Sequence, residues 1–363
     1  MENSKHAVIE PNQYTYEDVK EALSKDNLSF TDFAALLSPI AEQYLEEIAN
    51  VALNLRMKYF GNNVSIYTPL YISNYCENNC LYCGFNSNNK IHRASLSFEE
   101  IEKEMLVISK TGLKEILILT GEDSKRSNVE YISKAVQIAS KYFTTIGLEI
   151  YPLSVEEYKH MYSSGADFVS IYQETYDKEL YQKLHIRGPK QNYENRYQSP
   201  GRALEAGMYG VSLGVLLGLG DFRMDAYFTG IHAYNLHKKY PEAEISFSVP
   251  RLRSFKNDLK NIVLNSNLIS EKNLLQVILA YRIFMPFAGI SISTRERGEF
   301  RDQILKLAAT KISAEVKTSV GGHVVKKGDE QFTICDSRDV VTIHNAIQKQ
   351  GMQPIYTNHY SYK

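Results

Sequence analysis

The stretch VSIYTPLYISNYCENNCLYCG, residues 64–84, joins a β-branched and aromatic run to a loop with three cysteines. Residues 64–72 have the composition of a buried strand. Behind them Cys76, Cys80 and Cys83 follow the spacing C-x₃-C-x₂-C. A strand that ends in a group of metal-binding side chains is typical of parallel α/β folds, because functional residues gather at the C-terminal ends of their strands.

Similar strand-like runs recur along the chain and alternate with helix-sized segments. Ser97 and Glu100 form a capping box at the start of one such helix, and Gly112 ends it. Eight repeats predict an α/β fold of the closed (β/α)₈ TIM type, with a partial barrel or an open doubly wound sheet as alternatives. The predicted strands are 64–72, 115–119, 145–150, 168–172, 211–217, 244–249, 289–293 and 311–316.

Different patterns flank the predicted barrel. Apolar residues recur at helical spacing from about residue 14 to residue 60. The strand–helix rhythm stops near residue 320, where a glycine pair and a short helix-like stretch follow. We therefore expect an N-terminal helical segment (1–60), a barrel (61–318) and a C-terminal appendage (319–363).

Composition limits the classes of function. The 363 residues include 41 Lys plus Arg and 42 Asp plus Glu, which gives a net charge of −1. This balance argues against a general nucleic-acid or anionic-membrane surface. No run reaches the roughly 18 apolar residues of a membrane span, and residues 1–12 lack the apolar core of a signal peptide. We expect a cytoplasmic protein.

The cysteine spacing is the strongest chemical signal. Three thiolates on one loop can ligate three corners of a [4Fe–4S] cubane and leave the fourth iron open. S-adenosylmethionine (SAM) can bind that iron through its amino and carboxylate groups, and an electron from the cluster then breaks its C5′–S bond. The resulting 5′-deoxyadenosyl radical is the chemistry of the radical SAM enzymes, in which the cofactors carry the reaction.

A structural zinc site is the alternative interpretation of these cysteines. His92 would then be the fourth ligand. Zinc knuckles usually need two separated ligand pairs, whereas here the cysteines lie together. Cys335 stands alone in the C-terminal segment and is interpreted as a small core residue.

Two glutamates and two glycines follow predicted strands at the barrel mouth. Glu122 could bind the SAM ammonium group, or could be a solvated turn carboxylate. Glu174 could contact the SAM ribose or amino group, or could stabilise a helix N-terminus. Gly218 and Gly220 could admit the adenine or ribose, or could simply permit a tight turn.

Three arginines lie at the ends of the sixth and seventh predicted strands. Arg251, Arg253 and Arg295 each carry a fork of donors that suits a substrate carboxylate. The alternative for each is an internal salt bridge with Glu296 or Glu299.

Several motifs together resemble one known family. Residues 71–90, which span the cysteine loop, resemble the cluster loop of the 2-iminoacetate synthase family, the radical SAM tyrosine lyases of thiamine biosynthesis. The likeness continues through Leu119-Thr-Gly-Glu122 and Leu184-His-Ile-Arg-Gly-Pro-Lys190. It extends over most of the chain, through residues 172–176, 216–221, 248–253, 293–296 and 300–302.

The resemblance implies a role for each candidate residue. The three cysteines would ligate the [4Fe–4S] cluster, Tyr82 would lie near the adenine, and Glu122 and Glu174 would contact SAM. Arg295 would bind the carboxylate of the substrate L-tyrosine, with Arg251 and Arg253 nearby.

The resemblance also implies a reaction and partners. The adenosyl radical would take a hydrogen from the tyrosine amino nitrogen, and the Cα–Cβ bond would break to give dehydroglycine and p-cresol. Thiazole synthase would receive dehydroglycine, and a flavodoxin or ferredoxin would supply the electron.

Some residues depart from the family pattern, and one close relative is disfavoured. Glu315, Val316 and His323 stand where the family tends to have other residues, so a different aromatic amino acid or a tyrosine derivative is an alternative substrate. The tyrosine lyase that matures [FeFe]-hydrogenase carries a second cluster on C-terminal cysteines. Here only Cys335 follows Cys83, and one cysteine cannot hold a second cluster.

Overall fold

The computed structural model describes residues 13–252 and 268–357. Its helices are α1 (Tyr16–Leu23), α2 (Phe30–Leu37), α3 (Leu45–Phe60), α4 (Phe98–Ser109), α5 (Val129–Ala139), α6 (Val155–Ser163), α7 (Lys178–Leu184), α8 (Tyr193–Tyr197), α9 (Ser199–Glu205), α10 (Phe222–Lys239), α11 (Glu271–Phe284), α12 (Gly298–Leu307) and α13 (Val340–Lys349). Its strands are β1 (Asn63–Ser73), β2 (Asn79–Cys80), β3 (Glu115–Thr120), β4 (Thr145–Glu149), β5 (Phe168–Glu174), β6 (His185–Arg187), β7 (Gly210–Val215), β8 (Glu244–Ser248), β9 (Gly289–Ile292), β10 (Lys311–Ser313), β11 (Val320–Gly321), β12 (Lys326–Lys327) and β13 (Gln353–Ile355).

Eight of these strands form a closed parallel barrel. Their order is β1, β3, β4, β5, β7, β8, β9 and β10, and β10 pairs with β1 in parallel. Ser65 lies opposite Lys311 and Tyr67 opposite Ser313 at this closure. Each predicted strand overlaps one of the eight, so the barrel prediction is confirmed and the open doubly wound sheet is wrong.

The helix between β1 and β3 begins where the capping signals predicted. The Ser97 hydroxyl accepts from the Glu100 backbone N–H, and the Ser97 N–H donates to the Glu100 carboxylate over 2.8 Å. This reciprocal pair satisfies two donors that a helix N-terminus otherwise leaves unpaired. Such helices return the chain to the start of the next strand, which keeps all eight strands parallel.

Three N-terminal helices pack on the outside of the barrel, as the helical spacing predicted. The ring of Phe33 in α2 stacks on Phe284 of α11 with centroids 4.1 Å apart, and it lies 5.8 Å from Tyr227 of α10. Gly230 of α10 makes this approach possible, because a Cβ there would lie 2.4 Å from Phe33 Cε1.

The segment after β10 returns to the first barrel strand. Val320 of β11 lies beside Tyr71, and β13 runs parallel to the start of β1. Arg301 of α12 forms a buried ion pair with Asp336. The proposed division at residues 60/61 and 318/319 stays a prediction.

In the described ranges, we find no helix with the length and apolar character needed to cross a lipid bilayer.

Gly230→Ala should destabilise the fold because the added methyl group would overlap the Phe33 ring. We expect a loss of about 1–3 kcal/mol, typical of overpacking, measured as a lower midpoint in urea unfolding. Gly201→Ala in α9 is the control, because its Cβ would lie 3.6 Å from the nearest atom. Equal midpoints for both variants would contradict this account of the α2–α10 contact.

Candidate active site

A cavity of about 150 Å³ lies inside the C-terminal mouth of the barrel. Its polar lining includes Tyr82, Cys83, Glu149, Glu174, Lys190 and Arg295. A larger cavity of about 800 Å³ opens at the opposite end, and none of the cysteines lines it. The C-terminal mouth is therefore where cysteine and charged side chains meet, as the barrel architecture predicts.

The loop after β1 holds the cysteines at this mouth. Cys80 lies in β2, which pairs with β6 opposite His185. The Glu77 N–H donates to the Glu122 carbonyl over 2.9 Å. The loop passes so close to Gly121 that a Cβ there would lie 2.2 Å from the Tyr75 carbonyl oxygen. Only glycine fits at position 121 without moving the loop.

The three thiols are free and largely shielded from solvent. Cys80 is buried, and Cys76 and Cys83 are half-buried. Burial raises the pKa of all three, that of Cys76 to about 11. Such thiols lose their protons when a metal compensates the thiolate charge.

The donor groups around the thiols are compatible with an iron–sulfur cubane. In residues 13–252 and 268–357, no three His, Cys, Asp or Glu side chains could hold one metal ion. The side chain of His92 is exposed. Amide donors lie near two sulfurs: Asn78 Nδ2 is 3.8 Å from Cys76 Sγ, and Gln331 Nε2 is 3.7 Å from Cys83 Sγ. Three thiols on one loop, two of them with a neighbouring amide donor, suit the thiolate ligation of a cubane.

Four charged residues form a buried network beside the cysteine loop. Arg196 Nη1 donates to Glu122 over 2.7 Å, and Lys190 Nζ donates to Glu174 over 2.7 Å. The cross pairs, Lys190 with Glu122 and Arg196 with Glu174, are each 4.0 Å apart. Asn78 joins the network to the loop by donating to Glu122 over 2.8 Å. Two acids and two bases balance, so the network can be buried.

The network keeps both carboxylates ionised. Burial alone would raise the pKa of Glu122 and of Glu174, but the neighbouring Arg196 and Lys190 charges lower both below the usual value. Glu122 does not line the cavity, whereas Glu174 does.

The backbone at Glu174 is strained. Its φ is +72°, a left-handed conformation that is uncommon for residues other than glycine. Asp225 of α10 holds the next two residues by accepting from the Thr175 hydroxyl over 2.9 Å and from the Tyr176 N–H over 2.7 Å. These bonds fix the turn that aims Glu174 at the cavity.

Tyr82 and Arg295 both line the cavity. The Tyr82 hydroxyl is 2.8 Å from His185 Nε2. The Arg295 guanidinium stacks 3.7 Å above the Phe332 ring centroid, and no described carboxylate forms a salt bridge with it. Burial lowers the pKa of Arg295.

The other predicted arginines do not join the cavity lining. Arg251 forms a buried bidentate pair with Glu296, with Nε 2.8 Å from Oε1, and donates to the Ile269 carbonyl over 2.6 Å. The contacts of Arg251 are therefore those of the alternative interpretation, an internal salt bridge with Glu296. Arg253 lies outside the described residues.

The two predicted glycines lie outside the cavity lining, and one of the three residues that depart from the family pattern lies within it. Gly218 has a φ of +102°, which fits the tight-turn alternative, and neither it nor Gly220 lines the cavity. Among the departures, Val316 lines the cavity, whereas Glu315 and His323 do not.

Sequence reasoning missed four polar residues of the site: Asn78, Glu149, Lys190 and Arg196. Glu149 is the last residue of β4, and no motif follows it to mark that strand end as functional. Lys190 stood within a family-like motif, which was the available signal. Arg196 lies in α8, well after the end of β5, and no sequence motif marked it as a residue of the barrel mouth.

Two family models match this chain. Residues 70–226 match the Radical SAM superfamily, and residues 248–353 match the Biotin and Thiamin Synthesis associated domain. The crystal structure of HydG, a maturase of the [FeFe]-hydrogenase, is similar with a TM-score of 0.90 and 30% identity, covering 97% of this chain and 79% of that one.

Full-length relatives narrow the family further. The 2-iminoacetate synthase of Salmonella typhimurium is 38% identical over 347 residues, covering 95% of this chain and 91% of that protein. The 2-iminoacetate synthase of Escherichia coli is 36% identical over 353 residues, covering 97% and 93%. The chain therefore belongs to the 2-iminoacetate synthase family of radical SAM enzymes.

Proposed function

We propose that this protein is a radical SAM lyase that cleaves the Cα–Cβ bond of L-tyrosine to dehydroglycine (2-iminoacetate) and p-cresol for the thiamine thiazole. The family relationship supports the reaction class. The observation that carries the proposal is that Cys83 and Arg295 line one cavity. This arrangement supports a cluster ligand and a carboxylate-binding group on either side of one small substrate.

Cys76, Cys80 and Cys83 would hold a [4Fe–4S] cluster, and SAM would bind its open iron. When bound, these cofactors supply the 5′-deoxyadenosyl radical that takes a hydrogen from the tyrosine amino nitrogen before the Cα–Cβ bond breaks. Tyr82 and Glu174 line the same cavity and would contact SAM. Glu122 would act on the SAM site indirectly, by holding Arg196 and Lys190 in place through its ion pairs.

Arg295 would bind the tyrosine carboxylate. Its guanidinium is held against Phe332 and has no described carboxylate partner, so its donor fork is available. A carboxylate bound by both arms of the guanidinium would compensate the cost of burying the Arg295 charge. The closed barrel would also exclude water from the radical species.

The reaction requires partners outside this chain. A flavodoxin or ferredoxin would deliver the electron, and thiazole synthase would take up dehydroglycine. A cytoplasmic location would suit the free thiols, because that compartment keeps cysteines reduced.

The direct test is anaerobic incubation of reconstituted protein with SAM, dithionite and L-tyrosine, followed by chromatography. We expect both 5′-deoxyadenosine and p-cresol. Deoxyadenosine without p-cresol would point to another aromatic amino acid or a tyrosine derivative, with Val316 as the first residue to examine. Neither product from protein with an intact cluster would refute the proposed lyase.

Replacing each cluster cysteine should abolish iron binding. Reconstituted wild type should hold about four iron per chain, as a three-thiolate cubane requires. Cys76→Ser, Cys80→Ser and Cys83→Ser should each lose most of it in iron analysis. Cys335→Ser is the matched control, because Cys335 is remote in sequence from the loop and is exposed, so its interpretation as a core residue was wrong. Stoichiometric zinc in the wild type would instead support a zinc-stabilised, non-catalytic protein.

Arg295→Ala should keep the cluster and lose tyrosine turnover. Removing a charge-assisted bidentate contact should lower kcat/KM for tyrosine about 100-fold in an assay of p-cresol. Arg297→Ala is the control, because Arg297 is exposed and pairs with Glu271 outside the cavity. Undiminished p-cresol formation by Arg295→Ala would remove Arg295 from the proposed role.

A further inference from the structure

Glu149 is an ionisable cavity residue that the proposed function leaves without a role. It ends β4, opposite Leu119 of β3, and its side chain lines the same cavity as Cys83 and Arg295. Among residues 13–252 and 268–357, no side chain forms a hydrogen bond or salt bridge with its carboxyl group. Glu174, which ends the adjacent strand β5, is instead paired with Lys190 at 2.7 Å.

The cavity therefore offers one acid and one base without a described counter-ion. Arg295 and Glu149 come from the ends of strands in different parts of the barrel, so they face one enclosed space from separate walls. Leaving two such groups unpaired in a buried site costs free energy unless a ligand compensates both. A zwitterion, with a carboxylate for Arg295 and an ammonium group for Glu149, meets that requirement.

The surroundings of Glu149 set its charge in the free protein. Burial, together with the Glu174 carboxylate, raises its pKa to about 7, against the opposing charges of Arg196, Lys190 and Arg295. The phenols of Tyr67, Tyr71 and Tyr172 also face this carboxyl group. A carboxyl group with this pKa can both bind a cation and exchange a proton near neutral pH.

We propose that Glu149 binds the α-ammonium group of the amino-acid substrate and accepts one proton from it. The transfer breaks one N–H bond and forms one O–H bond on Glu149, leaving a neutral amine whose nitrogen keeps the electron pair. The neutral amine is the form from which hydrogen-atom loss leads to an imine. This inference rests on the proposed function, because it takes an amino acid as the substrate.

The first test compares three ligands on reconstituted holoenzyme with SAM, by titration calorimetry. L-Tyrosine carries both charges, tyramine lacks the carboxylate, and 3-(4-hydroxyphenyl)propanoate lacks the ammonium group. Glu149→Gln should weaken tyrosine and tyramine binding by about tenfold or more, as expected for one charge-assisted hydrogen bond, and should leave the propanoate unaffected. Arg295→Ala should show the opposite selectivity, weakening tyrosine and the propanoate.

A second measurement follows the proton. Below pH 7 the Glu149 carboxyl group of the free enzyme is mostly protonated, and an ammonium group beside it favours the carboxylate. Tyrosine binding at pH 6–7 should therefore release a proton to the buffer, detected from the dependence of the binding enthalpy on buffer ionisation. Glu149→Gln should abolish the release, and Glu149→Asp should restore it in part.

The outcomes separate this inference from the function beneath it. Equal weakening of all three ligands by Glu149→Gln, or unchanged tyrosine binding, would overturn the role of Glu149 while leaving tyrosine cleavage intact. Wild-type enzyme with a full cluster that binds none of the three ligands would overturn both. Iron content and the thermal midpoint of each variant show that it is folded.

Discussion

The hydrogen-bonded closure between β1 and β10 is the constraint on which the site depends. Strand β1 is paired on one side with β3 and on the other with β10, so the sheet has no free edge at this position. Because all eight strands are parallel, closure brings the ends of β1, β4, β5 and the loop after β9 around one opening. Cys83, Glu149, Glu174 and Arg295 meet there although they are widely separated in sequence. An open sheet would spread the same residues along an edge.

The ionisable residues at this opening form two groups with different roles. The network of Glu122, Glu174, Lys190 and Arg196 is internally neutral and hydrogen-bonded, so it rigidifies the mouth without needing a ligand. Arg295 and Glu149 are not part of any described ion pair. The four-residue network fixes the geometry of the site. Arg295 and Glu149 can form their ion pairs with a bound ligand.

The sequence predicted the barrel well because parallel strands carry a strong local pattern. Runs such as 115–119 are apolar on both faces and lie next to capped helices, so each could be recognised by itself. The predicted ends of the strands were less accurate than the strands themselves. The last run was predicted to reach residue 316, but β10 ends at Ser313 because Glu315 adopts a φ of +52° and its N–H donates to the Arg338 carbonyl. Strands of two or three residues, such as β11 and β12, carry no periodicity to detect.

The site was predicted only where the signal was local. The cysteine spacing needs no tertiary structure to interpret, whereas the partner of Arg251 could not be chosen between Glu296 and Glu299 from sequence. Lys190 and Arg196 reach the mouth on a segment, His185 to Tyr197, that folds back over it after β5. Such long-range juxtapositions depend on the closed barrel and leave no trace in a short window of residues.

The position of β1 in the sheet has a consequence for biosynthesis. The cysteine loop directly follows β1, yet the strands that seal β1, β10 and β13, are encoded far downstream. During translation the three thiols emerge from the ribosome long before the barrel can close around them, because domains fold as units and β10 and β13 have yet to be synthesised. Until those strands have been made, the three thiols stay more accessible to other molecules than they are in the finished barrel, where Cys80 is buried.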